Sequence, residues 1–180
     1  MSERVPHWLA AAAKPEVAAA LDDLYADVAR EIAARGPVCW ASGRCCNFER
    51  AGHRLYATGL ETACTIARLG TLAPPPGGTS LPVLSSPPTP RPLTRASLDE
   101  ALDRGGCPLQ AGNLCSAHGI RPLGCRVYFC DRSAQSWQND LYERAMSRLR
   151  AIHDEHAIEY LYAEWRSLLG MFLEAAQDGR

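Results

Sequence analysis

Residues 107–130 of the chain read CPLQAGNLCSAHGIRPLGCRVYFC. This stretch contains four cysteines, and the glycines and prolines between them favour tight turns over long helices or strands. The pattern predicts a compact segment of loop and β-hairpin, with Ala111, Gly112 and Asn113 at the turn of the hairpin. Short spacings of this kind bring several thiols towards one point with little extra loss of chain entropy.

A second group of cysteines lies upstream, where residues 39–46 read CWASGRCC. Side chains of adjacent residues in extended backbone point to opposite sides, so Cys45 and Cys46 can face one point only if the chain turns sharply. Gly43 makes such a turn possible. One further cysteine, Cys64, lies on the apolar face of a predicted helix and is interpreted as a small buried side chain.

The composition is that of an ordinary globular domain. The chain has 180 residues, 47% of them hydrophobic and 22% charged, which suffices for a buried core and argues against disorder. Its net charge of −1 predicts no basic surface for nucleic acid or anionic lipid. Neither a signal sequence nor an apolar run of about 20 residues is recognised, so we expect a cytoplasmic location and no membrane contact.

The chain contains eight cysteines, and in a reducing compartment such a sequence more often binds metal or performs redox chemistry than forms disulfides. A disulfide framework is the alternative. One tetrahedral zinc ion or one [4Fe–4S] cluster needs four ligands, so a single site with spare thiols is the simplest interpretation. The candidate ligands are Cys39, Cys45, Cys46, Cys107, Cys115, Cys125 and Cys130.

Apolar residues upstream of the cysteines recur with helical spacing. A helix is predicted from about Pro15 to Arg35, because proline suits a first helical turn and Gly36 stops the helix. Its apolar face comprises Val17, Leu21, Leu24, Val28 and Ile32.

Two capping boxes predict further helix starts. The first begins at Thr58 and opens a helix that ends near Gly70. The second begins at Ser97 and opens a short helix that ends at Gly105. A short strand over residues 53–57 is expected just before the first of these helices.

The part of the chain after Cys130 is predicted to be helical, either with a break between two antiparallel helices over residues 153–158 or as one continuous helix. Two apolar faces support this prediction. One face comprises Leu141, Ala145, Leu149 and Ile152, and the other comprises Leu161, Trp165, Leu168 or Leu169, and Phe172.

A proline-rich segment at about residues 73–95 is predicted to be an extended loop, because proline removes hydrogen-bond donors and restricts φ. Cysteines flank it on both sides, so it is interpreted as a loop inside one domain that spans residues 1–180. The expected fold is therefore mainly α: a small helical domain with cysteine-rich loops and a short β-hairpin, organised around a metal centre.

The two cysteine groups resemble the YkgJ-type cysteine-cluster family, described as zinc- or iron-chelating domains. The family has an early CxxCxxCC motif and a later cysteine-rich segment with an Arg-Pro and a Cys-Arg pair. Cys39, Cys45 and Cys46 match the first, third and fourth cysteines of the early motif, and Ser42 stands at the second. The later segment is matched by Cys107-Pro108, Cys115, Arg121-Pro122, Cys125-Arg126 and Cys130.

The resemblance implies metal chelation, by zinc or by an iron–sulfur cluster. Spare cysteines slightly favour iron–sulfur, and we expect a single centre shared between the early and late motifs. Some relatives are iron–sulfur-dependent protein lysine N-methylases, so a protein-modifying enzyme or a redox protein is the alternative function. Whether the chain is an enzyme stays open, and the expected partner or substrate is another protein.

Three histidines are further candidate ligands. His118 lies between two candidate cysteines and can complete a mixed zinc site, although a polar loop residue is the more natural interpretation. His153 and His156 have the spacing of a helical metal site, but no second Glu-x-x-His pair accompanies them. They are therefore interpreted as surface or helix-end residues.

Arginines and aromatic residues flank the cysteines. Guanidinium groups are expected to screen the charge of a thiolate site, with ordinary surface solvation as the alternative. The aromatic side chains are expected to shield a metal from water. The arginines are Arg44, Arg121 and Arg126, and the aromatic residues are Trp40, Phe48, Tyr128 and Phe129.

Overall fold

The chain folds mainly into α-helices, as its periodicity predicts. A computed structural model describes residues 3–69 and 91–178. The helices are α1 (Arg4–Ala12), α2 (Pro15–Arg35), α3 (Phe48–Ala51), α4 (Gly59–Leu69), α5 (Arg95–Asp103), α6 (Leu123–Val127), α7 (Gln135–Glu155) and α8 (Trp165–Asp178). The strands are β1 (Tyr56–Thr58), β2 (Gln110–Ala111), β3 (Leu114–Cys115) and β4 (Tyr162–Glu164). Among these described helices, none has the length and apolar character needed to cross a membrane.

Helix α2 has the predicted bounds. It begins at Pro15 and ends before Gly36, which has a φ of +60° and donates its N–H to the carbonyl of Ile32 at 3.0 Å. Its apolar face packs against α7, and most of the predicted face residues are buried. The shared core includes Val17, Leu21, Leu24, Val28, Leu141, Ala145, Leu149 and Ile152.

Helix α4 joins this core to the cysteine-rich segment through a buried carboxylate. Glu61 is 1% exposed, and its Oε2 accepts hydrogen bonds from the N–H and the hydroxyl of Thr58 at 2.9 and 3.1 Å. This confirms the predicted capping box. Its Oε1 accepts from the hydroxyl of Tyr25 at 3.0 Å and from the N–H of Leu123 at 2.7 Å. Leu123 is the first residue of α6, so Glu61 fixes the start of the helix that carries Cys125.

Helix α1 was not predicted from the sequence. It buries Val5 and Trp8, and the Trp8 ring stacks on Phe172 of α8 with ring centroids 6.1 Å apart. A Cβ on Gly59 would lie 2.4 Å from the Trp8 ring. The start of α4 therefore needs glycine so that the two helices can approach each other.

The predicted strand over residues 53–57 is found slightly later, as β1. Its antiparallel partner β4, which pairs Tyr56 with Glu164 and Thr58 with Tyr162, was not predicted. The predicted break between the last two helices is found, because α7 ends at Glu155, but it extends beyond residue 158 and contains β4. Its pairing with β1 explains why α8 begins only at Trp165.

Helix α5 begins earlier than predicted. Its N-cap is Thr94, whose hydroxyl accepts the N–H of Ser97 at 3.1 Å, while the Ser97 hydroxyl accepts the N–H of Thr94 at 2.9 Å. The prediction that Ser97 opens the helix was therefore wrong, because the capping box is formed one turn earlier. The helix ends at Asp103, just before Gly105, as predicted.

The β2–β3 hairpin confirms the predicted turn, with Ala111 paired to Leu114 across Gly112 and Asn113. The proline-rich segment predicted at about 73–95 lies mostly outside the described residues. Its last part, residues 91–94, is neither helix nor strand.

Candidate metal centre

The early cysteines lie in a tight turn that begins at Gly43. Gly43 has a φ of +70°, and the 3-10 turn Arg44–Cys46 follows it directly. The N–H of Cys46 donates to the carbonyl of Gly43 at 3.0 Å. As a result the Sγ atoms of Cys45 and Cys46 lie 4.0 Å apart, although adjacent side chains would diverge in extended backbone.

This turn packs directly against the later cysteine segment. The N–H of Cys107 donates to the carbonyl of Cys46 at 2.8 Å. A Cβ on Gly43 would lie 3.0 Å from Gln110 Nε2 and 3.2 Å from Asn113 Cα, so the β2–β3 hairpin leaves no space for a larger residue. The hairpin and the turn thus form one unit.

Short elements place the later cysteines. Cys107 precedes the hairpin, and Cys115 ends β3, where it pairs with Gln110. Cys125 lies in α6, and its N–H donates to the carbonyl of Pro122 at 3.0 Å.

The Cys46 side chain is central to the group. The nearby thiols of Cys107, Cys115 and Cys45 raise its pKa well above the ordinary value, and its Sγ lies 4.0 Å from that of Cys45. The pKa of Cys45 is lowered to about 6, first because Cys46 donates to it and then because of the positive charge of Arg121. The pKa of Cys115 is also lowered, first because Cys46 donates to it and then because of the backbone N–H of Ala117.

Cys125 completes a group of five. Burial raises its pKa well above the ordinary value, and the nearby Cys107 and Cys115 raise it further. Cys46 and Cys107 are each 5% exposed and belong to the same buried cluster as Cys45, Cys115 and Cys125. The structure therefore brings together five of the seven candidate cysteines, from both motifs.

The thiols do not yet have the geometry of a metal site. Within residues 3–69 and 91–178, no group of three or more His, Cys, Asp or Glu side chains is arranged so that it could hold a metal ion as it stands. The donor set itself suits a thiophilic metal, because several thiols are buried together.

Two candidate cysteines have other surroundings. Cys39 is exposed. The Sγ of Cys130 lies 3.7 Å from the hydroxyl of Ser42. The residues before Ser42 lie beside the same part of the chain as Ser42 does, because the N–H of Val38 donates to Oδ2 of Asp131, the residue after Cys130, at 3.5 Å.

Cys64 also lies apart from the five cysteines, in the core between the helices. It is 6% exposed there. Burial raises its pKa to about 11, as expected of a packing residue.

The three arginines have different surroundings. The charge of Arg121 lowers the pKa values of Cys45 and Cys115, as expected for a residue that screens thiolates. Arg126 instead lies over the Tyr25 ring, 4.0 Å from its centroid, and donates to the carbonyl of Gly119 at 3.0 Å. Arg44 is exposed.

The flanking aromatic residues also differ. Phe48 is 1% exposed and packs in the same cluster as the cysteines. Trp40 is 58% exposed, so the prediction that it shields the cysteines was wrong. Tyr128 stacks on His53 with centroids 4.7 Å apart, and Phe129 lies beside Trp137 at 6.2 Å.

The histidines do not join the group. His118 is exposed as a residue, and the partial burial of its ring, followed by the charges of Arg121 and Arg126, lowers its pKa to about 4. His153 is 1% exposed, and its Nδ1 lies 3.1 Å from the carbonyl of Ile158. His153 therefore has the predicted position at a helix end, in the last turn of α7, but it is buried there and does not lie at the surface. His156 caps the end of α7.

A cavity of about 250 Å³ opens beside Cys45 and Cys125. Four tyrosines from separate parts of the chain line it, and sequence reasoning missed them because no local pattern connects them. The hydroxyls of Tyr142 and Tyr162 are 2.5 Å apart, and the rings of Tyr56 and Tyr162 stack with centroids 5.6 Å apart. The fourth is Tyr128.

No family model matches the chain, and comparison with curated proteins and with solved structures gives no match either. The resemblance to the YkgJ-type family therefore stays a prediction from the cysteine motifs.

Proposed function

We propose that the chain is a metal-binding protein with a single thiolate centre shared between its early and late cysteine motifs. The first choice of ligands is Cys45, Cys46, Cys107 and Cys115, and Cys125 is a fifth thiol beside them. The observation that carries this proposal is the packing of Cys46, from the early motif, in one cluster with Cys45, Cys107 and Cys115. Two buried and two partly buried cysteines pack together here. Apolar packing alone does not require thiols at these four positions, since aliphatic side chains could fill the same space.

Zinc fits this arrangement better than an iron–sulfur cluster. Thiolates bound tetrahedrally at about 2.3 Å from one zinc ion stand about 3.8 Å from each other. The Sγ atoms of Cys45 and Cys46 are 4.0 Å apart. In a [4Fe–4S] cluster each thiolate binds a different iron, so the sulfur atoms stand farther apart. The slight preference of the sequence for iron–sulfur is therefore replaced here by a preference for zinc.

The surroundings of two of the thiols, Cys45 and Cys115, lower the pKa and so favour the deprotonated form that metal binding requires. The backbone N–H of Ala117 and the charge of Arg121 both lower the pKa of Cys115. Bound zinc would supply the positive charge that holds the remaining thiolates together. Because Cys46 and Cys107 come from segments far apart in sequence, the centre would stabilise their junction, which is a structural role.

The second candidate is an enzyme that uses the same centre. The tyrosine-lined cavity favours it, since this cavity reaches Cys45 and Cys125 and so gives a small molecule or side chain access to the thiols. An iron–sulfur protein that modifies another protein belongs to this class.

Purification without oxygen, followed by elemental analysis and an absorbance spectrum, tests both candidates. The proposal expects a colourless protein with one zinc ion per chain. A brown protein that contains iron and sulfide would instead indicate that the centre is an iron–sulfur cluster. A chain that stays folded without binding either metal, even after reconstitution with each, would contradict the proposal as a whole.

A further inference from the structure

A second cavity, of about 420 Å³, adjoins the cysteine turn and contains no cysteine in its wall. Its volume is in the range of small-molecule sites in proteins. Its wall offers hydrogen-bond donors from two guanidinium groups, two amides and one hydroxyl, and no carboxylate lines it. The lining residues are Ser42, Arg44, Asn47, Arg50, Ala51 and Asn113.

The two arginines of this cavity lack the partners that other arginines of the chain have. Arg148, for example, forms an ion pair with Asp27 at 2.7 Å, and Arg35 forms one with Glu31 at 3.0 Å. Within the described residues, the guanidinium groups of Arg44 and Arg50 form no ion pair and no hydrogen bond. Two unpaired guanidinium groups in the wall of one cavity form a positively charged recess.

The cavity forms only when the two cysteine motifs meet. Asn47 is held in place by a 2.9 Å hydrogen bond from its amide to the carbonyl of Gly43. Asn113 belongs to the turn of the β2–β3 hairpin, and its Cα would lie 3.2 Å from a Cβ on Gly43. The donors from the early and the late motif are therefore fixed relative to each other by the same contact that joins the cysteines.

We propose that this cavity binds a phosphate group, either as inorganic phosphate or as the phosphoryl group of a small phosphomonoester. Guanidinium groups form paired hydrogen bonds with phosphate oxygens, and the amides and the hydroxyl add further donors. Several donors without an acceptor carboxylate match the many acceptor oxygens of a phosphate. None of its lining residues is a candidate metal ligand, so phosphate and metal would not compete for the same side chains.

The test is a titration of the full chain with inorganic phosphate at constant ionic strength, followed by NMR of the side-chain amides of Asn47 and Asn113. We expect saturable shifts of both amides. Arg44→Gln and Arg50→Gln should each weaken binding about tenfold, which corresponds to about 1.4 kcal/mol. Arg30→Gln is the matched control, because it removes the same charge from α2 and should leave the affinity unchanged.

A linear response without saturation would overturn the proposal, and so would an equal loss of affinity in Arg30→Gln, since both indicate unspecific charge attraction. The same titration with O-phosphoserine separates the two ligand sources. If O-phosphoserine binds more tightly than inorganic phosphate, the natural ligand is a phosphomonoester. If it binds more weakly, the natural ligand is the free phosphate ion. Saturable phosphate binding by a chain that is folded and contains no metal as purified would keep this site even if the proposed metal function fails.

Discussion

The backbone N–H of Cys107 donates a 2.8 Å hydrogen bond to the carbonyl oxygen of Cys46. This bond joins two segments that stand on opposite sides of the proline-rich stretch. Their side chains also lie close together, because Cys46 and Cys107 pack in the same buried cluster. Because backbone and side chains both make contact at this junction, variants of Cys46 and Cys107 should have the clearest effects on metal content and stability.

The first prediction ranks the cysteines by their effect on metal content. Cys46→Ser and Cys107→Ser should lose metal to the same extent as Cys115→Ser, because a hydroxyl is a poor ligand for a thiophilic metal. Cys64→Ala, whose side chain lies in the helical core, is the control and should retain full metal. Metal quantification on variants purified side by side without oxygen provides the measurement.

If Cys45→Ser and Cys46→Ser both kept full metal while Cys125→Ser lost it, the shared centre would be wrong and the later segment would bind alone. Ser42→Cys adds a second check. Its side chain lies beside Cys130, so the metal stoichiometry should not change.

The second prediction links metal to folding. A structural thiolate site contributes about 10–16 kcal/mol in small zinc peptides, whereas the whole net stability of a domain is about 5–15 kcal/mol. Removal of the metal should therefore unfold at least the region of residues 107–130. Thermal melts before and after complete chelation measure this effect, and superimposable melts with verified metal loss would disprove the link.

The third prediction concerns Gly43. Gly43→Ala places a side chain at a φ of +70° and 3.0 Å from Gln110, so it should both strain the backbone and push the hairpin away. The matched control is Gly36→Ala, which has a φ of +60° with open space around it. The left-handed backbone alone costs about 1–2 kcal/mol in either variant. Chemical denaturation should show a larger loss for Gly43→Ala, and equal losses would mean that the close approach is unimportant.

The fourth prediction concerns the buried carboxylate. Glu61→Gln replaces an oxygen that accepts hydrogen bonds by an NH₂ group that donates, so at least one buried donor from Thr58, Tyr25 or Leu123 loses its acceptor. Each unsatisfied donor costs about 1–3 kcal/mol. Tyr25→Phe is the comparison, because it removes one donor and leaves the acceptor its remaining partners. Urea denaturation should rank Glu61→Gln as the less stable variant, and the reverse order would contradict this role.

The fifth prediction concerns pH. Burial lowers the pKa of His153, so the unfolded chain binds a proton more readily than the folded chain. Stability should therefore be complete above the unfolded pKa of about 6.5 and should fall as the pH decreases below it. Unfolding free energies between about pH 5 and pH 8 should show this decline, and it should be smaller in His153→Gln. An unchanged pH profile in that variant would assign the decline to other groups.

Local signals in the sequence were reliable where neighbouring residues control the structure. The bounds of α2 follow from Pro15 and Gly36, and the hairpin follows from Gly112. The sequence predicts the start of α5 three residues too late, because Thr94 and Ser97 are both residue types that cap helices. The pattern does not say which residue is the cap.

The candidate site was predictable only as a list of cysteines. Spacing marked seven thiols as equal candidates, and nothing in the spacing separates Cys45 from Cys39. The fold separates them, because the Gly43 turn directs Cys45 inwards and leaves Cys39 exposed. The tyrosines beside Cys45 had no sequence signal, since they come together only in three dimensions.

The sequence by itself determined the helical class of this protein, the apolar face of α2 and the hairpin turn at Gly112, because periodicity and glycine conformation act over a few residues. The tertiary structure decided that β4 pairs with β1 and that Glu61 holds the start of α6. It also decided which thiols meet. These features depend on hydrogen bonds and packing between residues far apart in the chain, and such contacts leave no periodic trace in either partner segment.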